Sequence, residues 1–378
     1  MGDLIKFYNP VSLIIGSGVR KKIADECLDK HVLIFCTASA FKRHSKDPCL
    51  NEVFAQPNVM FEHSFDSNPS LLDVIKISDK YKDSSLDLIV GLGGGSAMDV
   101  AKIASVSIPA NEIGIDINDL LTNSSCFLQF DEINCIQVPT TAGTGSEVTP
   151  FATVWDYENQ QKKSLNHSSM FAKKAFIDPD FLSEIPLEIS LSTGLDALNQ
   201  AFESIWNINA NEITRSYSIR SAELALKVLP DIDQSSNNPR LREKLAFASL
   251  FAGLAISQTR TSICHSISYP LTLKYGISHG MACAFSMLEV YKYNSEYIKD
   301  DIEKIMFNLK EDPYIILKNI FRKYELNSFF INALPDKSAF TDSIEDYITA
   351  GRFENNIRKC NHADLINIII KSYETATS

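Results

Sequence analysis

LDLIVGLGGGSAMDVAK, residues 86–102, sets an apolar run against a triple glycine and then a stretch of helical character. The run LDLIVGL (86–92) is apolar almost throughout, as expected of a parallel strand covered on both faces. Gly93, Gly94, Gly95 and Ser96 stand between that strand and a helix, where small residues let a phosphate reach backbone N–H groups at the helix N-terminus. The spacing comes close to the dinucleotide fingerprint GxGxxG without matching it, so it reads either as a phosphate cradle or as a plain tight turn. On either side the pattern repeats. VSLII (11–15), VLIFC (32–36) and NCIQVPT (134–140) read as further strands, and helical sequence such as KKIADEC lies between them. Strands alternating with helices predict a doubly wound α/β domain with a mostly parallel sheet. The next section, TAGTGSEVTP (141–150), is small and hydroxyl-rich, fit either to line a cofactor or to form a surface loop.

Past FIDPDFLSEIP the pattern turns helical almost to the end, which predicts a domain boundary near residue 186. The expected organisation is an α/β dinucleotide-binding domain over 1–185 and an all-helical metal-binding and substrate domain over 186–378. DQSSNNPR (233–240) reads as a plain helix connection. In TGLDALNQAFESIW (193–206), spacings of three and four put Asp196, Gln200 and Glu203 along one helix face. Such a face either points to water or, turned inward, must meet hydrogen-bond partners or a cation.

Composition narrows the function. With 45% hydrophobic and 22% charged residues the chain is an ordinary globular protein, and its longest apolar runs fall short of a membrane helix. A net charge of −11 excludes nucleic acid and anionic membrane as partners. The opening MGDLIKFYNP lacks a basic region followed by an apolar run, and the eight cysteines form no CxxC pair. A cytoplasmic protein with reduced thiols, and with neither a disulfide framework nor a thiolate zinc site, is the expectation.

Taken together, GGGSAMDVAK (93–102), PTTAGTGSEVT (139–149) and the DALxxAxE pattern of residues 196–203 resemble the iron-containing, group III alcohol dehydrogenase family over nearly the whole chain. The resemblance implies the dehydroquinate synthase-like fold of that family, NAD(P) as cofactor and one divalent metal, Fe2+ or Zn2+. By that similarity Gly93, Gly94, Gly95 and Ser96 hold the pyrophosphate, Asp99 and Lys102 lie toward the ribose and nicotinamide, and Thr140, Thr141, Thr144 and Ser146 line the rest. Relatives that favour NAD carry an acid after the second strand. Here CTASAFKR has Thr37 at that place with Lys42 and Arg43 nearby, so NADP(H) is expected over NAD(H), although the two cations could equally face solvent.

The same likeness makes Asp196, His265 and His279 metal ligands and predicts an imidazole at position 200, where this chain has Gln200. A neutral amide oxygen is the weaker donor to a first-row metal. Gln200 then ligates through oxygen, holds a metal-bound water, or marks a metal-free site. Tyr269 replaces a histidine common in relatives and is either a proton donor beside His265 or a packing aromatic, with Pro270 expected to end its helix. QAFESIWNINAN, QTRTSICHSISYPLT and DYENQQKKSL resemble the phosphonoacetaldehyde reductase branch. The expected reaction is reduction of a small aldehyde by nicotinamide hydride with the metal as Lewis acid. Arg260 and Lys163, with the hydroxyls of Thr259, Thr261 and Ser262, are the candidates to meet a phosphonate. Uncharged aldehydes or diols, or a dehydroquinate synthase-like lyase reaction, are the alternatives, and a homodimer is the expected assembly.

Overall fold

The computed structural model describes residues 4–159, 161–342 and 352–377. Eight strands form among them: β1 (Ser12–Ile15), β2 (Val32–Phe35), β3 (Val59–Glu62), β4 (Leu88–Gly93), β5 (Asn134–Pro139), β6 (Phe151–Asp156), β7 (Gln161–Asn166) and β8 (Lys174–Ile177). Six of them build one sheet in the order β1-β8-β5-β4-β2-β3, parallel at every pairing. β2 and β4 are buried along their whole length, which explains their unbroken apolar reading. One layer packs Ile34, Val90 and Val138 with Phe176; the other packs Leu33 and Ile89 against Val100, Ala101 and Ala104 of the helix that follows β4. β6 and β7 pair antiparallel as a separate hairpin.

The chain divides into two compact units. The α/β unit takes residues 9–141 and 146–182, and the helical unit takes residues 4–8, 142–145 and everything described from 183 onward. The four residues 142–145 therefore group with the helices, whereas the sequence reading left them in the first domain.

In the helical unit, helix Leu187–Ile205 is buried along almost its entire length, so the face carrying Asp196, Gln200 and Glu203 points inward and not to water. Helix His279–Asn294 packs on it with Gly280 against Ser192: a Cβ at 280 would lie 2.6 Å from the Ser192 carbonyl carbon and closer still to its oxygen. Helix Ile263–Tyr275 departs from expectation, since it continues through Pro270 and stops at Gly276, whose φ of 65° is the left-handed turn that ends many helices. Pro270 removes one backbone donor, and burial of Leu271 and Thr272 beyond it outweighs that loss. The connection at 233–240 is likewise not plain loop, because residues Leu229–Asn237 wind as 3-10 turns. No helix among the described residues is long and apolar enough to cross a membrane.

Candidate functional site

Three helices bring four donors together. Asp196 comes from Leu187–Ile205, His265 from Ile263–Tyr275, and His279 with Cys283 from His279–Asn294, and one ligand atom of each lies within 4.8 Å of all the others. Asp196 Oδ1 is 3.4 Å from His265 Nε2, and the two imidazole rings meet edge to face at 5.2 Å. Glu203, fully buried, accepts from His265 Nδ1 at 2.6 Å and from the His265 backbone N–H at 3.1 Å. A carboxylate at Nδ1 fixes the ring and turns Nε2 into the cluster, the arrangement that orients metal-binding histidines. Burial opposes a charge on His265, but Cys283, Glu203 and Asp196 around it outweigh burial and hold its pKa well above the ordinary value.

Gln200 turns its amide nitrogen to the Thr144 carbonyl at 3.4 Å, and its Oε1 is buried without a hydrogen-bond partner. A buried amide oxygen left so is costly in a folded chain, and a cation would relieve it. The donor chemistry and this orphaned oxygen fit a divalent metal.

A family model described as iron-containing alcohol dehydrogenase matches residues 10–179, and one for the C-terminal part of the Fe-containing alcohol dehydrogenase family matches 190–328. The chain belongs to the iron-containing alcohol dehydrogenase family. Its matches to curated proteins are partial. It is 34% identical over 215 residues to the phosphonoacetaldehyde reductase of Streptomyces viridochromogenes, spanning 55% of this chain and about half, 53%, of that protein. It is 28% identical over 269 residues to the 1-propanol dehydrogenase of Salmonella typhimurium, spanning 71% and 68%. Among solved structures, sulfoacetaldehyde reductase from Bifidobacterium kashiwanohense in complex with NAD+ superposes with a TM-score of 0.83 at 26% identity, over 99% of this chain and all of that one.

The cofactor residues expected of an iron-containing alcohol dehydrogenase divide in two. Gly94 caps the 18-residue helix Gly95–Glu112 without a side-chain acceptor, and no acid sits in its first turn. The N–H groups of Gly95 and Ser96 thus begin a long helix whose amino end suits an anion. Thr140 is held to Gly93 by its backbone N–H at 2.8 Å, and Thr141 packs against Gly94, where a Cβ would meet its Oγ1 at 3.1 Å. Thr37 caps the helix after β2, its Oγ1 accepting from Ala40 N–H at 3.3 Å; Lys42 is exposed and Arg43 half-buried.

Asp99 and Lys102, expected toward the ribose and nicotinamide, make contacts that brace the protein. Lys102 is wholly buried, its ammonium donating to the carbonyls of Ser146 (3.0 Å), Thr149 and Phe151 and pairing with Asp99 at 3.3 Å. Asp99 in turn accepts from Ser146 Oγ at 2.5 Å and from Thr153 N–H at 2.9 Å. Burial lowers the pKa of Lys102 and Asp99 opposes it, as befits an internal strut.

Three residues expected near the substrate have partners within the protein. Lys163 lies on β7 and pairs with Asp156 across the hairpin at 2.7 Å, in the segment whose residue 160 lies outside the described residues. Thr259 and Ser262 are buried in packing contacts, the first donating to Ser204 Oγ at 3.0 Å and the second accepting from Trp206 Nε1 at 3.3 Å.

Arg260 behaves differently. It ends helix Pro239–Thr259 with φ 66°, a conformation held by Asn207, whose Nδ2 donates to the Arg260 carbonyl at 3.2 Å. Residues 352–357 are laced to the same corner: Asn355 Nδ2 donates to the Thr261 carbonyl at 2.9 Å and Ile357 N–H to the Trp206 carbonyl at 2.8 Å. That lacing brings Arg352 near Arg260. Burial first, and then the charge of Arg352, lower the pKa of Arg260, while Tyr269 opposes them. Tyr269 itself stacks on His279 at 5.9 Å.

The sequence reading missed Arg352, which lies 92 positions from Arg260, and Cys283, which it discounted for want of a CxxC pair. The i,i+4 spacing of His279 and Cys283 on one helix was the available signal for the latter.

Proposed function

We propose that this chain reduces a small aldehyde bearing an anionic head group, phosphonoacetaldehyde being the best fit, to the corresponding alcohol with NADPH. One hydride and one proton add across the C=O bond, giving 2-hydroxyethylphosphonate and NADP+. The observation that carries the reading is Arg260, half-buried in the unit that holds the metal donors, with the segment carrying Arg352 hydrogen-bonded to Thr261 and Trp206 beside it. Two half-buried arginines in this region suit a multiply charged oxyanion, which each can grip with paired hydrogen bonds. The match to the phosphonoacetaldehyde reductase points the same way.

When bound, the nicotinamide supplies the hydride and the divalent ion withdraws charge from the carbonyl oxygen. The chain does the remainder. Asp196, His265 and His279 hold the ion, Glu203 fixes the His265 ring, Arg260 and Arg352 bind the anionic end, and Tyr269 Oη is the proposed proton donor to the new alkoxide. Gly95 and Ser96 receive the pyrophosphate through their N–H groups, and Thr141 flanks the rest of the cofactor. The family resemblance supports a cytoplasmic homodimer.

NADPH oxidation measured with phosphonoacetaldehyde, sulfoacetaldehyde, lactaldehyde and propanal tests this directly. kcat/KM for a charged aldehyde should exceed that for propanal by about two orders of magnitude, from one or two charge-assisted contacts at ~1.5–3 kcal/mol each. Rates on propanal equal to or above those on the charged aldehydes would abandon the proposal for the uncharged-aldehyde reading, which the 1-propanol dehydrogenase match favours. Arg260→Ala and Arg352→Ala should each raise KM for the phosphonate about 30-fold and change KM for propanal less than about threefold. Equal effects on both substrates would remove the two arginines from recognition.

Cofactor choice has its own variant. Thr37→Asp keeps a good helix N-cap but sets a carboxylate where NADP carries its 2′-phosphate. It should cut kcat/KM for NADPH about 100-fold while sparing or improving NADH, with an unchanged thermal melt. If wild type already prefers NADH, the NADP(H) proposal is wrong.

A further inference from the structure

We infer that Cys283 is a metal ligand, so that the centre is an Asp–His–His–Cys set in which a thiolate does the work of a third imidazole. The inference rests on the metal-assisted reading above and assigns this chain's own donors within it. It begins with placement. His279 and Cys283 lie four apart on helix His279–Asn294 and therefore project from one face. Cys283 Sγ is 3.9 Å from His279 Nε2, while on the other side of the cluster Asp196 Oδ1 is 3.4 Å from His265 Nε2. A tetrahedral ion with bonds of roughly 2.0–2.1 Å to N and O and 2.3 Å to S holds its N and O donors roughly 3.4 Å apart and its N and S donors roughly 3.6 Å apart. Both separations lie close to those values, and all four donor atoms fall within 4.8 Å of one another.

Surroundings argue the same way. A buried cysteine ordinarily packs as a small apolar side chain. Cys283 is fully buried, yet the groups gathered round its sulfur are a carboxylate and two imidazoles. Apolar packing gives no reason to assemble those three polar groups around a thiol, whereas a shared cation does.

The residue at 200 makes a thiolate consequential. Gln200 offers a neutral amide oxygen, a weaker donor than the imidazole expected at that position, so a thiolate would strengthen a set otherwise made of one carboxylate and two imidazoles. A thiolate restores both negative charge and donor strength, the thiol proton passing to solvent as the ion enters. It also changes which metal suits the site. Sulfur donors favour Zn2+, so this centre should prefer zinc to iron more strongly than a carboxylate and three imidazoles would. Gln200 Oε1, buried and without a protein partner, is then left to meet a ligand-bound water or substrate.

The test uses the full chain stripped of metal by a chelator and reloaded with one equivalent of Co2+ or Zn2+. Cobalt-loaded wild type should show a near-ultraviolet sulfur-to-cobalt charge-transfer band together with the visible absorption of a tetrahedral ion. Cys283→Ser should lose that band and bind Zn2+ at least about 100-fold more weakly in chelator competition, whereas Cys264→Ser, one residue before His265, should keep both. X-ray absorption of zinc-loaded wild type, which needs no variant to fold, should contain one sulfur scatterer at about 2.3 Å. Cobalt bound tetrahedrally with no sulfur band, or a zinc shell of nitrogen and oxygen alone, overturns the Cys283 assignment and leaves the metal-assisted reading standing. Failure of wild type to take up either ion overturns both.

Discussion

His265→Ala is expected to abolish stoichiometric metal binding and to lower kcat/KM for any aldehyde by about 10³-fold or more. The ring is the centre of the cluster: Nε2 faces Asp196 at 3.4 Å, Nδ1 is held by Glu203 at 2.6 Å, and the His279 ring abuts it. Truncation removes a donor and leaves the Glu203 carboxylate buried with no imidazole N–H to satisfy it, each a severe loss in a dry interior. Lewis-acid assistance is worth several kcal/mol, and each ~1.4 kcal/mol is a factor of ten in rate. Glu203→Gln serves as the graded companion. It keeps the shape but weakens the grip on Nδ1, and metal affinity should fall about 10- to 100-fold, as for other groups that orient a ligand. Metal content by elemental analysis and kcat/KM measured side by side check both variants. If His265→Ala retained full metal and more than a tenth of wild-type activity, the cluster would not be the catalytic centre.

Gly280→Ala should destabilise the chain by about 3 kcal/mol, the upper end for an overpacked site, and lower its melting temperature by roughly 6 °C. The added Cβ would meet the Ser192 carbonyl group, with its carbon at 2.6 Å, and Ser192 Oγ at 3.0 Å. Ser192 lies in the second turn of a helix buried almost throughout from Ser190 onward and Gly280 in the first turn of its own, so relief of the clash moves the two helices apart. Separation has a second consequence, because Asp196 is one turn beyond Ser192 and His279 is the neighbour of Gly280. Widening that crossing pulls the two donors apart, so metal affinity should fall together with the melting temperature. Calorimetry with and without added Zn2+ separates the two effects. A melt within 1 °C of wild type, by contrast, would mean that the helix pair has slack and does not set the donor spacing.

Much of this protein was legible along the chain, for reasons that are local. A strand covered on both faces must be apolar on both, so 86–92 announced a buried parallel strand, and the glycines after it announced the start of a helix. Asp196, Gln200 and Glu203 shared a helix face by spacing alone. Pro270 shows where local rules failed: proline disfavours helix, but the gain from burying Leu271 and Thr272 carried the helix five residues past it. The bracing contacts of Asp99 and Lys102 were not legible for a related reason. Whether a charged side chain points at a ligand or at its own backbone carbonyls depends on where residues 146–153 return, some 45 positions later.

What the sequence determined by itself was therefore the element types, the two-part organisation and the family, since each rests on residues close along the chain. The tertiary structure alone decided the strand order, the inward turn of the 187–205 face, the docking of residues 355–357 on Thr261 and Trp206, and the entry of Cys283 into the donor cluster. Those are contacts between segments tens of residues apart, selected by how buried surfaces fit, and no periodicity in one segment records the position of another.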